Sequence, residues 1–249
     1  MSAFDQIGRT YARTRRADAR IERQIADALG DARSVVNVGA GSGAYEPRDR
    51  DVVAVEPSAV MLAQRAPGAA RAVQASAEAL PFADGSFDAA LAVLTMHHWS
   101  DWRAGVAEMR RVAPGRSVML TFDPAYIAKY WLMRDYLPEL AVEDERRFPP
   151  LATVAEAFGG AEIVPVPIAH DCTDGFLCAY WRRPECYLDA ERRSAISSFA
   201  RIDARSGLAK LSADLSSGRW AERNRPLLAL DALDVGYRIV CCEVRGTNS

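Results

Sequence analysis

Lysine is nearly missing from this chain. Among 31 basic residues only Lys129 and Lys210 are lysines; the rest are arginines. Histidine is scarce too. His97, His98 and His170 are the three in 249 residues, so few side chains are expected to titrate near neutral pH. Neither sign of charge dominates. A net charge of -2 and a pI of about 6.0 offer no basic excess to attract nucleic acid or an anionic membrane. The five cysteines are Cys172, Cys178, Cys186, Cys241 and Cys242. Their odd number and the absence of a secretory signal argue against a disulfide framework. The spacing of His170, Cys172, Cys178 and Cys186 matches no zinc pattern, so no metal is expected. No apolar run approaches the ~18 residues that span a bilayer. The N-terminal "MSAFDQIGRTYARTRRADAR" has no apolar h-region. A soluble, cytoplasmic protein is the expectation, monomeric or homodimeric.

What the chain does have is alternation. It is 49% hydrophobic, enough for one sizeable core. "SVVNVG" (34–39), "DVVAVEPS" (51–58), "ARAVQA" (70–75), "FDAALAVLT" (87–95) and "SVMLTFD" (117–123) read as buried strands. Between them, 20–30, 58–66 and 102–113 carry helical spacing, with Ser58 as an N-cap and Pro114-Gly115 as a stop. "AYIAKYWLMRDYLPEL" (125–140) reads as an aromatic-rich helix, 151–159 as another, "AEIVPVPI" (161–168) as a sixth strand and "GYRIVCCEV" (236–244) as the last. This pattern predicts an α/β fold: a Rossmann-like, mostly parallel seven-stranded sheet with helices on both faces. Residues 170–235 interrupt the last two strands and are read as a helical cap. The whole is one domain, its core being about 20–169 plus 236–246.

In such sheets ligands sit at the carboxyl ends of the strands. That rim should gather the glycine turn 39–43, Glu56, residues 76–78, residues 95–99 and Asp123. "VNVGAGSGAYE" (36–46) is the first feature there. Its glycines let backbone approach a ligand closely, and the following helix start offers free N–H groups. A carboxylate at Glu56 can accept both hydroxyl protons of a ribose. These features serve NAD and S-adenosylmethionine equally well.

The other rim segments separate the two. With "VNVGAGSGAYE", "VVAVEPSAVM" and "EMRRVAPGRSVMLTFD", the stretch "ASAEALPFADGSFDAALAVLTMHHWSD" (75–101) resembles class I S-adenosylmethionine-dependent methyltransferases, in the small-molecule branch related to ubiquinone and menaquinone methyltransferases. The resemblance covers about residues 8–123. It implies S-adenosyl-L-methionine as cofactor, S-adenosyl-L-homocysteine as product, and a bacterial enzyme. Gly39, Ala40, Gly41 and Gly43 would line the methionine and ribose end, and Glu56 would bind the ribose hydroxyls. Pro57, Met61, Ala77 and Glu78 would border adenine, while Thr95 and His97 would lie beneath the cofactor. "YARTRR" resembles a closing segment, making Tyr11 a lid residue and Arg16 (or Arg15) a partner for the cofactor carboxylate. The chain departs from the pattern twice, with Asn37 and Ser76 where the family carries acids; an amide and a hydroxyl can still hydrogen-bond there.

Methyl transfer needs alignment, water exclusion and sometimes a base. His97 and His98 at the rim, and His170 leading into the cap, are the candidates. Tyr126, Tyr130 and Trp131, with "GFLCAYW" (175–181), suggest a small aromatic or apolar acceptor. Two other readings stay open: a protein of this fold that binds the cofactor without methylating, and an NAD-dependent oxidoreductase. For the latter, Tyr126-Ile-Ala-Lys129 falls one residue short of Tyr-x-x-x-Lys.

Overall fold

A computed structural model describes residues 14–243. Seven strands form one sheet: β1 (Ser34–Val38), β2 (Asp51–Val55), β3 (Arg71–Val73), β4 (Ala89–Val93), β5 (Arg116–Phe122), β6 (Glu162–Pro165) and β9 (Tyr237–Glu243). Their order is β3-β2-β1-β4-β5-β9-β6, and a two-stranded clip joins β7 (Ile168–Ala169) to β8 (Ala232–Leu233). The strands from β3 across to β5 are parallel, while β9 runs antiparallel to both β5 and β6. The parallel strands read as unbroken apolar runs because both faces are covered. Val35 and Leu91 pack with α1 (Ala19–Leu29) through Ile21, Ile25 and Leu29. Val36 and Ala90, one residue along, face α3 (Trp102–Val112) and α6 (Leu151–Ala157) through Val106, Met109 and Val154.

Several boundaries differ from the sequence reading. The helix expected over 58–66 is only α2 (Ala59–Leu62), capped by Ser58. Pro67 keeps Ala66 out of helical conformation, but nothing in the structure explains why the helix already ends at Leu62. The single helix expected over 125–140 is broken. A turn at Pro124–Lys129 is followed by extended Tyr130, then α4 (Trp131–Asp135) and α5 (Pro138–Glu145). Pro138 has no N–H to continue α4, so the chain restarts with proline at the first position. The sixth strand stops at Pro165 and is exposed along its length, as suits an edge.

The cap carries α7 (Ala190–Ser194), α8 (Arg205–Ser216) and α9 (Arg219–Arg223), linked by tight turns. Aromatic side chains fasten it to the sheet. The Tyr130 and Tyr187 hydroxyls lie 2.7 Å apart, and Trp131 Nε1 donates to the Trp181 carbonyl at 2.9 Å. Trp131 also meets the rings of Tyr136, Tyr187 and Trp220 edge-on. Tyr130 and Trp131 are therefore buried packing between sheet and cap. Among the described residues no helix is long and apolar enough to cross a membrane, and no three His, Cys, Asp or Glu side chains cluster as metal ligands.

Candidate active site

The turn after β1 hangs on β2. Gly39 N and Ala40 N both donate to the Val55 carbonyl, at 2.8 and 3.0 Å. Gly39, Gly41 and Gly43 all have positive φ, the region that favours glycine. A Cβ on Gly39 would overlap Thr95 Oγ1. Gly39→Ala should thus cost about 1–3 kcal/mol of stability; an unchanged denaturation midpoint would contradict the clash. Glu56, 6% exposed, stands one residue past β2. Its carboxylate accepts from Gly41 N and from Ser58 N, both at 2.9 Å. The glycine turn and the second strand end are thereby locked to each other.

These elements wall a cleft of about 670 Å³. Asn37, Gly39, Ala40, Gly41 and Glu56 line it from the β1–β2 side. Pro57, Met61, Ser76, Ala77 and Glu78 follow, and Thr95 closes the β4 end. Gly43 lies instead against the Glu46–Arg65 ion pair. Glu78 borders the cleft, but its carboxylate is committed. It accepts from Ser100 N at 2.7 Å, Ser100 Oγ at 2.9 Å and Asp101 N at 3.2 Å. These bonds hold it below the usual carboxylate range despite partial desolvation. Asn37 donates through Nδ2 to Glu46 Oε1 at 3.3 Å, while its buried Oδ1 has no partner among the described residues. An acid does arrive beside Asn37, from nine residues downstream, but it is paired to Arg65 at 2.7 Å.

Beyond β4 the chain makes an unusual move. Leu94 has φ of +51°, the one non-glycine with positive φ among the described residues. Such a conformation costs on the order of 1–3 kcal/mol and persists only where the surroundings impose it. The bend sets Thr95 beneath the glycine turn and sends His97 into a second, smaller chamber of about 60 Å³. Leu94, His98 and Arg15 line both spaces. The chamber walls are mostly apolar: Phe122, Phe148, Phe176, Leu177, Ile196 and Tyr237. Into it also face His97, Asp144 and Ser198. His97 stacks on Phe148 with ring centroids 4.6 Å apart, and its buried Nδ1 has no partner among the described residues. Arg147 Nη2 donates to the His97 carbonyl at 2.6 Å and lies 3.0 Å from His98 Nδ1. The guanidinium assigns that Nδ1 the acceptor role and places the ring proton on Nε2.

Burial and the nearby arginines keep both imidazoles neutral. His97 is driven well below its ordinary value by desolvation first and then by the charges around it; His98 falls to about 3 for the same reasons. Asp144 moves the other way, up to about 6, because desolvation outweighs the Ser198 hydrogen bond and the attraction of Arg147 and Arg201. The consequence for stability has a definite sign. Below pH 6.5 the unfolded chain protonates two histidines that the folded chain keeps neutral, which destabilises. From about pH 6 downward the folded chain protonates Asp144 earlier than the unfolded one, which stabilises. The net is one proton in favour of the unfolded state, so stability should fall by about 1.4 kcal/mol between pH 6 and pH 5. Urea titrations at the two pH values check this; a flat or rising stability would show that the histidines charge in place.

Arg15 stands on one side of both spaces. Arg15 Nε donates to Asp174 Oδ1 at 2.6 Å and Nη2 to Oδ2 at 3.3 Å, while Tyr45 Oη donates to Oδ2 at 3.0 Å. Of the two arginines weighed for the cofactor carboxylate, the structure sends Arg15 into the site; Arg16 is exposed and lines neither space. His170 also lines neither. It lies at the base of the cap, its N–H bonded to the Asp231 carbonyl at 2.9 Å. Tyr11 falls outside the described residues. Asp144, Arg147, Phe148 and Ser198 were not singled out from sequence. "AVEDERR" (141–147) has the composition of a solvated helix end, and nothing in its spacing marks Asp144 as buried.

Comparison with known proteins supplies the remaining context. Residues 36–119 match the methyltransferase domain family. A solved structure described as a putative methyltransferase from an antibiotic biosynthesis pathway of Anabaena variabilis is 35% identical; the match covers 93% of this chain and 99% of that one, with a TM-score of 0.86. A curated but uncharacterized methyltransferase from Mycobacterium sp. (strain JLS) is 36% identical over 97 residues; the match covers 36% of this chain and only 38% of that protein's length. The geranyl diphosphate C-methyltransferase of Streptomyces coelicolor, solved with S-adenosyl-L-homocysteine, shares the fold at 16% identity, a TM-score of 0.51, and coverage of 90% and 78%.

Proposed function

We infer, for a chain that belongs to the class I S-adenosylmethionine-dependent methyltransferases, that it methylates a small aromatic or apolar molecule held in the chamber beside the cofactor cleft. The observation that carries this is the wall the two spaces share at Leu94 and His98: a cofactor-sized cleft lined by Glu56 stands beside an aromatic-walled chamber. The residues present suit the cofactor. Gly39 and Gly41 leave room along the backbone, and Glu56, tied to Gly41 N and Ser58 N, offers a carboxylate in the cleft wall to the ribose hydroxyls. The unpartnered Asn37 Oδ1 accepts a donor such as the cofactor's ammonium. When bound, the cofactor supplies an electrophilic methyl on a sulfonium sulfur.

This chain's own contribution is binding, alignment and exclusion of water. Phe148, Phe176 and Tyr237 sequester the acceptor, and the ion pair with Asp174 holds Arg15 in the wall that both spaces share. At about 60 Å³ the chamber is smaller than the roughly 150 Å³ cavity that takes up benzene. The acceptor therefore enters by displacing a wall. The test is transfer of an isotopically labelled methyl to an extract of small metabolites, alongside calorimetry with S-adenosylhomocysteine. Label in an aromatic or apolar product supports the reading. Tight binding with no product ever labelled would favour a cofactor-binding protein that does not methylate.

A further inference from the structure

We propose that Arg147 and Arg201 form an anion subsite for the acceptor, so that the molecule methylated is an aromatic or apolar acid whose carboxylate or phosphate is held on the cleft side of the wall the two spaces share. The inference rests on the methyltransferase reading above and adds to it a charge on the substrate and the residues that recognise it. Both arginines line the cleft, as does His98. They come from different parts of the chain. Arg147 follows α5, and Arg201 ends the tight turn Ser197–Arg201 in the cap. Each is tied by sequence to the chamber wall. Phe148 is next to Arg147, and Ser197 and Ser198 belong to the Arg201 turn.

These two guanidiniums are not matched by acids. Among the described residues neither has a carboxylate within ion-pairing distance. Arg15, the third arginine of the cleft wall, is paired to Asp174 at 2.6 Å. The acids of that wall are taken. Glu56 accepts from Gly41 N and Ser58 N, and Glu78 from Ser100 and Asp101. Asp144 attracts Arg147 from beyond ion-pairing distance, but it faces the chamber, where it accepts from Ser198 Oγ at 3.0 Å. Arg147 Nη2 is engaged by the His97 carbonyl and His98 Nδ1, while its buried Nη1 has no acceptor among the described residues. Arg201 is exposed and makes no hydrogen bond with the described residues. The two also repel. Burial first, and then the charge of Arg201, push the Arg147 guanidinium below its ordinary value.

A structural role accounts for one bond of Arg147 but not for the pair. A neutral donor would hold the His97 carbonyl without the cost of a half-buried charge. An anion in the cleft supplies an opposite charge for both arginines and, once the Arg147 fork turns toward it, an acceptor for Nη1. Guanidinium forks match the paired oxygens of carboxylate and phosphate. The acceptor is then ordered end to end. Its ionic group lies at Arg147 and Arg201, and its apolar part among Phe148, Phe176 and Tyr237. The cofactor brings a carboxylate of its own. That group is bonded to the carbon bearing the ammonium, which the reading above assigns to Asn37 at the glycine turn, so it belongs at that end of the cleft.

Matched probes test this without turnover. Calorimetry on protein saturated with S-adenosylhomocysteine compares benzoate, phenylacetate, 3-phenylpropanoate and cinnamate with their amides, which keep the shape and lose the charge. Phenyl phosphate joins the acids and tells which oxyanion is preferred. At least one acid should bind about ten-fold or more tighter than the amides, and high salt should narrow that preference. Arg147→Met should weaken that acid by about ten-fold, and Arg201→Met, at an exposed site, by a few-fold. Neither should move the amides by more than about two-fold, whereas a merely loosened wall would weaken acids and amides alike. Arg147→Lys keeps the charge and should recover part of the loss. Thermal unfolding reports whether each variant is folded, and if Arg147→Met is not, Arg201→Met decides alone. No acid binding tighter than the amides, or a preference that survives both substitutions, overturns the subsite and leaves the methyltransferase reading standing. Variants that weaken S-adenosylhomocysteine but not 5′-methylthioadenosine, which lacks the amino-acid end, hand the arginines to the cofactor's carboxylate and overturn it too. Failure of S-adenosylhomocysteine to bind the unaltered protein removes both.

Discussion

Glu56→Ala should weaken S-adenosylhomocysteine binding by a factor on the order of 10² to 10⁴. Two hydrogen bonds from ribose hydroxyls to a charged acceptor contribute about 1.5–3 kcal/mol each. The variant also leaves Gly41 N and Ser58 N without their acceptor, so the glycine turn loses its tie to β2. Glu56→Gln separates these effects. One amide oxygen can keep one backbone bond and one hydroxyl, which predicts an intermediate loss. Calorimetry on the three proteins, with thermal unfolding as a control for the fold, decides the matter. A dissociation constant for Glu56→Ala within a few-fold of the parent would remove the ribose assignment.

The second large effect is on stability. Asp174 is fully buried and accepts from Arg15, Tyr45 and its neighbour's Gly175 N. Asp174→Ala takes an acceptor from a guanidinium whose side chain is only 11% exposed and from a phenol whose proton is already hard to remove because of burial. Breaking one partner of a buried pair costs about 3–5 kcal/mol. Replacing both partners with apolar residues is often near neutral, so Arg15→Met with Asp174→Leu should recover most of that loss. Urea denaturation measures both. A single variant within about 1 kcal/mol of the parent would show that Arg15 finds water or another acceptor.

The parallel half of the molecule was readable in the sequence because its physics is local. A strand buried on both faces is an unbroken apolar run, and a turn that must take positive φ leaves glycines at 39, 41 and 43. The order of these segments brought the glycine turn, Glu56, Ala77 and Thr95 to one rim. What failed was information that is not periodic. Arg15 and Arg16 are neighbours of identical chemistry, and only the path of the chain toward Asp174, 159 residues away, separates them. Glu46 folds back beside Asn37 through a loop with no pattern to read. Asp144 sits among five charged residues in 143–147, so every local signal called for solvent. The aromatics at 130–131 were correctly seen as a cluster. Their role as fasteners depends on Tyr187 and Trp181, which no spacing rule connects to them.

The small clip of β7 and β8 has a consequence for engineering. Both stems of the cap pass through it side by side, with Ile168 opposite Leu233 and Ala169 opposite Ala232. Antiparallel partners lie about 4.5–5.5 Å apart at Cα, close enough for a two-residue hairpin loop to bridge. Everything from His170 to Asp231 is thus a cassette with adjoining ends, which can be exchanged for a foreign one without lengthening or re-threading the sheet. A replacement must bring an apolar underside of its own to cover Tyr130 and Trp131, which would otherwise be bared to water, and an acceptor in place of Asp174 for Arg15 and Tyr45. Within those conditions the clip is a natural splice point for exchanging the segment.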